Sequence, residues 1–256
     1  MTVEEERFTA AFKTFETQVA ETTQCWLAAS TMNEVAKRDP GTLEALNRAP
    51  TFWITVRVGL EYQAIISAGK IFGNRKANPH NIDSFFQVLR ECYAAVFAPT
   101  ALEARKRRGS ANADEWLSDY MKNIYVPTID DVNALHASMQ PHRKTYETQW
   151  AQIRNQHVAH TDVIDPSARW EMFQKTRIPD FENLIDHLNQ LQSAIWQLYH
   201  NGIRPELVPA NYSLEALVAK PIRELRESRN DEHIIAETRR CMALLTQGVA
   251  SVSIGV

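Results

Sequence analysis

The sequence predicts an all-α protein, a helical bundle carrying a helical C-terminal extension, on three observations. Apolar residues recur at helical spacing in almost every segment. Glycine and proline are scarce, 8 and 11 in 256 residues, too few for an all-β chain of tight turns. The composition is also that of a chain able to bury a core, with 44% hydrophobic and 23% charged residues, which excludes wholesale disorder. The formal charge of −3 gives no bulk basic field, so any contact with phosphate has to be local.

Taken in order, Phe8, Phe12, Phe15, Val19 and Trp26 mark a helix from about 3 to 37, or one broken near Thr22-Thr23. It would run about 50 Å if unbroken. Asp39-Pro40-Gly41 stops it. Pro50 suits a first helical position, and Trp53, Val56, Leu60, Ala64, Ser67 and Ile71 follow as a stripe. Ile54, Val58, Ile65 and Ile66 thicken that stripe, so this helix is expected to be central and covered on more than one side. A polar turn spans 74–80. Phe85, Leu89, Cys92 and Val96 mark a helix that must end before Pro99.

Thr100 and Glu103 have capping-box spacing and open a short helix that ends in Arg105-Lys106-Arg107-Arg108. That basic run reads as a solvated helix end or as a dock for RNA phosphates. Trp116, Tyr120 and Ile124 carry a further helix to Pro127. From Ile129 helical spacing continues to position 157, with a kink or restart at Pro141. Residues 161–179 lack clean periodicity. Phe181 to Leu198 form a long amphipathic helix that Gly202 would cap, and helices over 213–228 and 231–247 complete the chain. The expected organisation is a long N-terminal helix over 1–40 packing on a core over 41–202, then an extension over 203–256.

Three cysteines, Cys25, Cys92 and Cys241, are too few and too scattered for a disulfide framework or a metal cluster. The acidic start does not read as a signal peptide, and no apolar run approaches membrane-spanning length. A cytoplasmic location with no membrane contact is the expectation. Phosphate-binding glycine loops, H-E-x-x-H, paired Cys-x-x-Cys and G-x-S-x-G are all absent from the sequence.

The segment that can carry chemistry is Trp150 to Asp162, which holds Arg154, Asn155, His157 and His160. Arginine followed by a polar residue, with a histidine four to six intervening positions on, resembles the signature of the HEPN superfamily. The bare pattern occurs three times, at Arg75–His80, Arg154–His160 and Arg226–His233. The first runs through Asn78-Pro79 and the third crosses an expected helix break, so Arg154–His160, at the end of an aromatic-rich helix, is the informative one. Leu46 to Trp53 and Gly69 to Gly73 are similar to the second helix of one branch, the abortive-infection AbiU-like proteins. The stretch Arg154-Asn155…Ala159-His160-Thr161-Asp162 resembles that branch's catalytic helix end. The resemblance covers about 40–200. Lys70 and Gly73 stand where the branch has arginine and aspartate, and Asp162 where some HEPN toxins have tyrosine.

The resemblance implies an antiparallel HEPN-like bundle with additional N- and C-terminal helices. It further implies a metal-independent ribonuclease, a toxin or effector of phage defence, needing no cofactor and building a composite site across a homodimer. An antitoxin or other protein partner fits the same implication. Histidine can move protons near neutral pH, and arginine can fork onto a phosphate as charge builds on it. Asn155 would orient either. His157 and Asp162 are auxiliary candidates; with His160 they make a poor zinc set, lacking a glutamate base. On a regular helix Tyr146, Trp150, Ile153 and His157 share a face, and Arg154 and His160 diverge by about 120°. A two-fold partner laid on that apolar face would bring both pairs together. The plain alternatives are cations capping a helix C-terminus, or a HEPN-like module without catalysis that binds a protein partner.

Overall fold

Thirty-six residues, Val3–Arg38, form one unbroken helix, α1, in the computed structural model. Glu4, Glu5 and Glu6 lie in its first turn and Lys37 and Arg38 in its last, both signs complementing the helix dipole. The structure describes residues 1–73, 79–155, 174, 176–207, 213–226 and 229–252, with side chains to 247. Every regular element among these is helical, and none is long and apolar enough to cross a membrane.

The chain divides into two compact units that interleave in sequence. One unit comprises Met1–Val19, Gly69–Ala151 and Thr176–Ala210. The other comprises Ala20–Ala68, Asn211–Val256 and the described residues of Gln152–Lys175.

The first unit is built on aromatic packing. Phe8 is fully buried, with its ring 5.6 Å from Phe12, 5.7 Å from Phe97 and 5.0 Å from Tyr199. Phe15 stacks on Phe85 at 5.0 Å. The stripe over 8–15 is therefore core, and ring pairs of this geometry add to area burial. Helix α4, Ile82–Val96, starts on Asn81, whose side chain accepts from the Ser84 N–H and donates to the Gly73 carbonyl. Helix α5 runs Pro99–Gly109, and α6 runs Ala113–Met121. Proline occupies the first position of α5, and Ala98 before it gives no side-chain cap. The expected capping box at Thr100 is absent, because Pro99 already fixes the first helical φ. Helix α6 stops short of Ile124; beyond it the Tyr125 N–H donates to the Gly202 carbonyl. Helix α7, Ile129–Ser138, opens on a complete capping box of Thr128 and Asp131. Helix α8, Gln140–Gln149, follows across Met139, the restart expected at Pro141. A short α9 spans Ala151–Ile153, and α10 spans Ile178–Asn201. Gly202 ends α10 at φ +56°, where a Cβ would lie 2.8 Å from Leu102 Cδ2, so the cap requires glycine.

In the second unit, Asp39 caps α2, Pro40–Asn47, and α3 runs Pro50–Phe72. Residues 213–228 do not make one helix. Helix α11 covers only Leu214–Ala219, a 3-10 turn covers Ile222–Glu224, and α12 covers Asn230–Val252. Pro221 breaks the run, since it bars α geometry at Lys220, which sits at ψ 145°. Helix α2 packs on α12. Helix α3 departs from expectation. Ala64, Ala68 and Ile71 are fully buried, yet Phe52 and Ile54 are 59% and 56% exposed, and Trp53, Val56 and Leu60 are only half-buried, so its first half is covered only in part.

Candidate functional site

The stripe that leads to the candidate site is buried within the chain itself. Tyr146, Trp150 and Ile153 retain at most 4% exposure. Tyr146 stacks on Phe72 at 5.5 Å, and Trp150 lies 4.8 Å from the Phe181 ring. A dimer face made from Trp150 and Ile153 is thereby corrected, because the bundle already covers them. The helix is not regular there either. Trp150 interrupts it between α8 and α9, and Arg154 and Asn155 continue as a wider π-type turn. Such turns shift the side chains that follow off the 100° progression.

The Arg154 guanidinium donates from NH1 to Asn155 Oδ1 at 3.0 Å. Its Nε is shut off from solvent and has no acceptor. Arg154 is half-buried while Asn155 is exposed. Among the described residues this cation meets a neutral amide and no carboxylate, which leaves the orphaned donor suited to an anion. His157, His160 and Asp162 lie outside the described residues.

The basic run of α5 separates into two kinds of residue. Arg105 is internal, its side chain 9% exposed and paired with Glu5 at 3.3 Å. It donates to the Val96 and Tyr199 carbonyls and lies 4.1 Å over the Tyr199 ring. Burial lowers its pKa most strongly, against the charge and hydrogen bond of Glu5. Burial alone would raise the Glu5 pKa. Hydrogen bonds from Tyr199 and Arg105, with the charges of Arg105 and Arg108, hold it below the usual carboxylate range. Lys106 donates to Asn201 Oδ1 at 2.8 Å beside the Tyr120 ring. The solvated helix end is thus corrected for Arg105, which is enclosed, and for Lys106, which is tied down. Arg107 and Arg108 match it, at 47% and 52% exposure, each with a carboxylate neighbour.

Two further polar groupings escape sequence reasoning because their members are distant in the chain. In the first, Asp83 Oδ1 meets Arg143 at 2.7 Å and His136 Nε2 at 2.9 Å, and Arg90 reaches His136 Nδ1 at 2.7 Å. Arginine can only donate, so Nδ1 accepts and Nε2–H points at the carboxylate. In the second, the rings of His142 and His187 stack at 4.2 Å, and Ser138 Oγ lies 3.0 Å from His187 Nε2. Ser138 already donates its proton to the Leu135 carbonyl, so it accepts from His187. The pair is therefore not a nucleophile and base. Burial pushes His187 down to about 4, helped by His142.

One family model, described as AbiU2 and of the HEPN type, matches the chain over residues 6–219. No curated protein and no solved structure matches it. The family match takes in most of α1 and all of α11, a wider span than the 40–200 that the motifs mark out.

Proposed function

The chain belongs to the AbiU2 family of HEPN-type proteins, and from that premise we propose that it is an endoribonuclease that cuts RNA without a metal. In this reading Arg154 and His160 are the working pair, and two copies of the chain combine to complete one site. The observation that supports it is the Arg154 guanidinium, held by Asn155 with a shielded Nε donor and no carboxylate partner among the described residues. A phosphate oxygen satisfies both the charge and the orphaned N–H, and does so best as charge develops on the phosphate.

His160 removes or returns the proton: abstraction from a 2′-hydroxyl, attack of that oxygen on phosphorus, and protonation of the departing 5′-oxygen. The product end is a 2′,3′-cyclic phosphate. Arg107 and Arg108, half-exposed, guide the RNA backbone. Arg105 and Lys106 hold the bundle instead. The biological role in this reading is a toxin or effector of phage defence, working in the cytoplasm and kept in check by an antitoxin or other protein partner.

Labelled RNA offered to the purified protein in excess chelator tests the assignment. Cleavage by the wild type that is lost in both Arg154→Ala and His160→Ala supports it, and cleavage that survives both variants sinks it. Intact RNA with wild-type protein, together with harmless expression in cells, selects the non-catalytic partner-binding module.

A further inference from the structure

The last turns of α10 present an aromatic surface that the ribonuclease reading leaves without a role. From Leu184 to Asn201 the exposed residues are Ser193, Trp196 and His200. At spacings of three and four they share one face. A solvated helix face ordinarily carries long charged side chains, and this one carries none. Trp196 instead keeps 40% of its surface in water, although an indole is among the side chains that gain most from burial. Its ring lies 4.5 Å from that of His200, tilted by 37°. Neither the Trp196 indole N–H nor the His200 ring makes a hydrogen bond to the described residues.

Both neighbours of His200 in the chain are fastened. Tyr199 is buried and meets the His200 ring edge-on at 4.7 Å. Asn201 accepts from Lys106 Nζ at 2.8 Å through its side chain and from the Tyr120 hydroxyl at 2.7 Å through its carbonyl. Helices α5 and α6 thus both hold this end of α10. The same ties set a cation beside the aromatic face. Lys106 Nζ stands 4.9 Å over the Tyr120 ring, and its partners are an amide oxygen and that ring, with no carboxylate among the described residues. It is fixed without being neutralised, whereas Arg105 one position earlier is paired with Glu5. Burial, and then the positive charges of Arg105 and Lys106, hold His200 below its ordinary pKa, so its ring stays neutral at neutral pH and lies in a positive field.

We propose that Trp196 and His200 form a stacking platform for an unpaired base of single-stranded RNA, with Lys106 supplying the charge that meets the adjoining phosphate. A nucleotide is a flat π surface next to an anion, and this face is an aromatic pair next to an uncancelled cation. Stacking of this kind is tolerant of sequence, since every base has a π-face. It also selects single strands, because the bases of a duplex are already stacked on one another. An apolar protein partner fits less well. The exposed residues of the face include no aliphatic side chain, and the local field favours an anionic ligand. The choice of RNA over another single strand rests on the ribonuclease reading. The platform itself binds only, and no bond forms or breaks on it.

The probe is a fluorescein-labelled 2′-O-methyl RNA strand of about 12 nucleotides, a length within the site sizes of such surfaces. Its blocked 2′-oxygens cannot attack phosphorus, so the full-length protein binds it without cutting it. Fluorescence anisotropy reads the affinity. Trp196→Ala should weaken binding of the single strand by about tenfold or more, and Trp196→Phe should restore most of it, because a phenyl ring still stacks. The same sequence as a duplex should respond to Trp196→Ala by less than about twofold. Lys106→Gln should lower the salt dependence by about one phosphate contact. Single-strand binding that is unchanged in Trp196→Ala overturns the proposal, as does a Trp196→Phe protein that binds no better than Trp196→Ala. Equal weakening toward the duplex overturns it too, since charge or folding rather than stacking would then be at fault. A wild type that ignores the strand at about 100 μM, the weak end of non-specific binding, overturns it and leaves the face to a protein partner. Cleavage does not enter this measurement, so the ribonuclease reading and the platform stand or fall separately.

Discussion

Arg105 and Arg154 look alike in sequence, each a cation near the C-terminal end of a helix, and they end in opposite circumstances. Both have an Nε buried without an acceptor. Arg105 is enclosed by the Glu5 carboxylate, two carbonyls and the face of Tyr199. Arg154 has one neutral amide. A guanidinium that meets a buried carboxylate is fixed as structure, because separating the two strands a charge in low dielectric. One that meets only an amide keeps its charge available to a ligand. The neighbour, more than the residue type, separates a structural arginine from a candidate binding one.

The largest expected effect breaks the structural member. Glu5→Ala leaves Arg105 buried without its counter-charge and should cost about 3–5 kcal/mol of stability, measured by denaturant unfolding. A loss below 1 kcal/mol would show that the Arg105 enclosure is not a stabilising pair. Next comes the other member. Arg154→Ala should reduce RNA cleavage by about 10²–10³-fold while shifting stability by less than about 1 kcal/mol. Asn155→Ala, which frees the guanidinium without removing it, should lower cleavage less. Equal damage to folding from Arg154→Ala and Glu5→Ala would erase the contrast between the two arginines.

Acid sharpens the comparison without mutation. The folded Glu5 carboxyl titrates below its unfolded value near 4.5, so its contribution is complete above that pH and is lost as pH falls through the lower folded value. His187 acts earlier. Its folded pKa is about 4 against 6.5, so the unfolded chain takes up the proton first and stability declines between those values. Glu182, raised by burial to about 7, takes up its proton first in the folded state and opposes His187 over the same range. Thermal midpoints recorded from pH 7 to 3 should therefore separate the two. His187→Gln should hold its midpoint better than the wild type between pH 6.5 and 4. Both proteins should lose stability below 4.5 as Glu5 is protonated. The smallest effect is at the exposed end of α5. Arg107→Ala and Arg108→Ala should each change stability by about 0.5 kcal/mol or less, and each should reduce the salt dependence of RNA binding by about one phosphate contact.

Helix α3 shows how far periodicity reaches. Trp53, Val56 and Leu60 carry the same spacing as Ala64, Ser67 and Ile71, and only the second group is buried. Spacing describes which face is apolar, and nothing in it states what will lie against that face. The same limit applies to the stripe through Trp150 and Ile153. Its apolar character was readable, and its burial inside the chain rather than at a dimer face was not. Of the candidate site, the Arg154–Asn155 pair was legible because adjacent residues interact through local geometry.

What the sequence determined alone is what depends on near neighbours along the chain. The all-helical class, the extent of the N-terminal helical segment, the interruption near Pro141 and the glycine cap at Gly202 all follow from spacing and from φ restrictions within a turn or two; that α1 runs unbroken through Thr22-Thr23 was decided by the structure. Tertiary structure decided what depends on residues far apart. It set Arg105 against Glu5, 100 positions away, and His136 against Asp83, 53 positions away, and it drew Glu182 into a buried face. Helical propensity is settled by bonds four residues long. Burial and charge pairing are settled by which helices meet, and that depends on the packing of the whole chain at once.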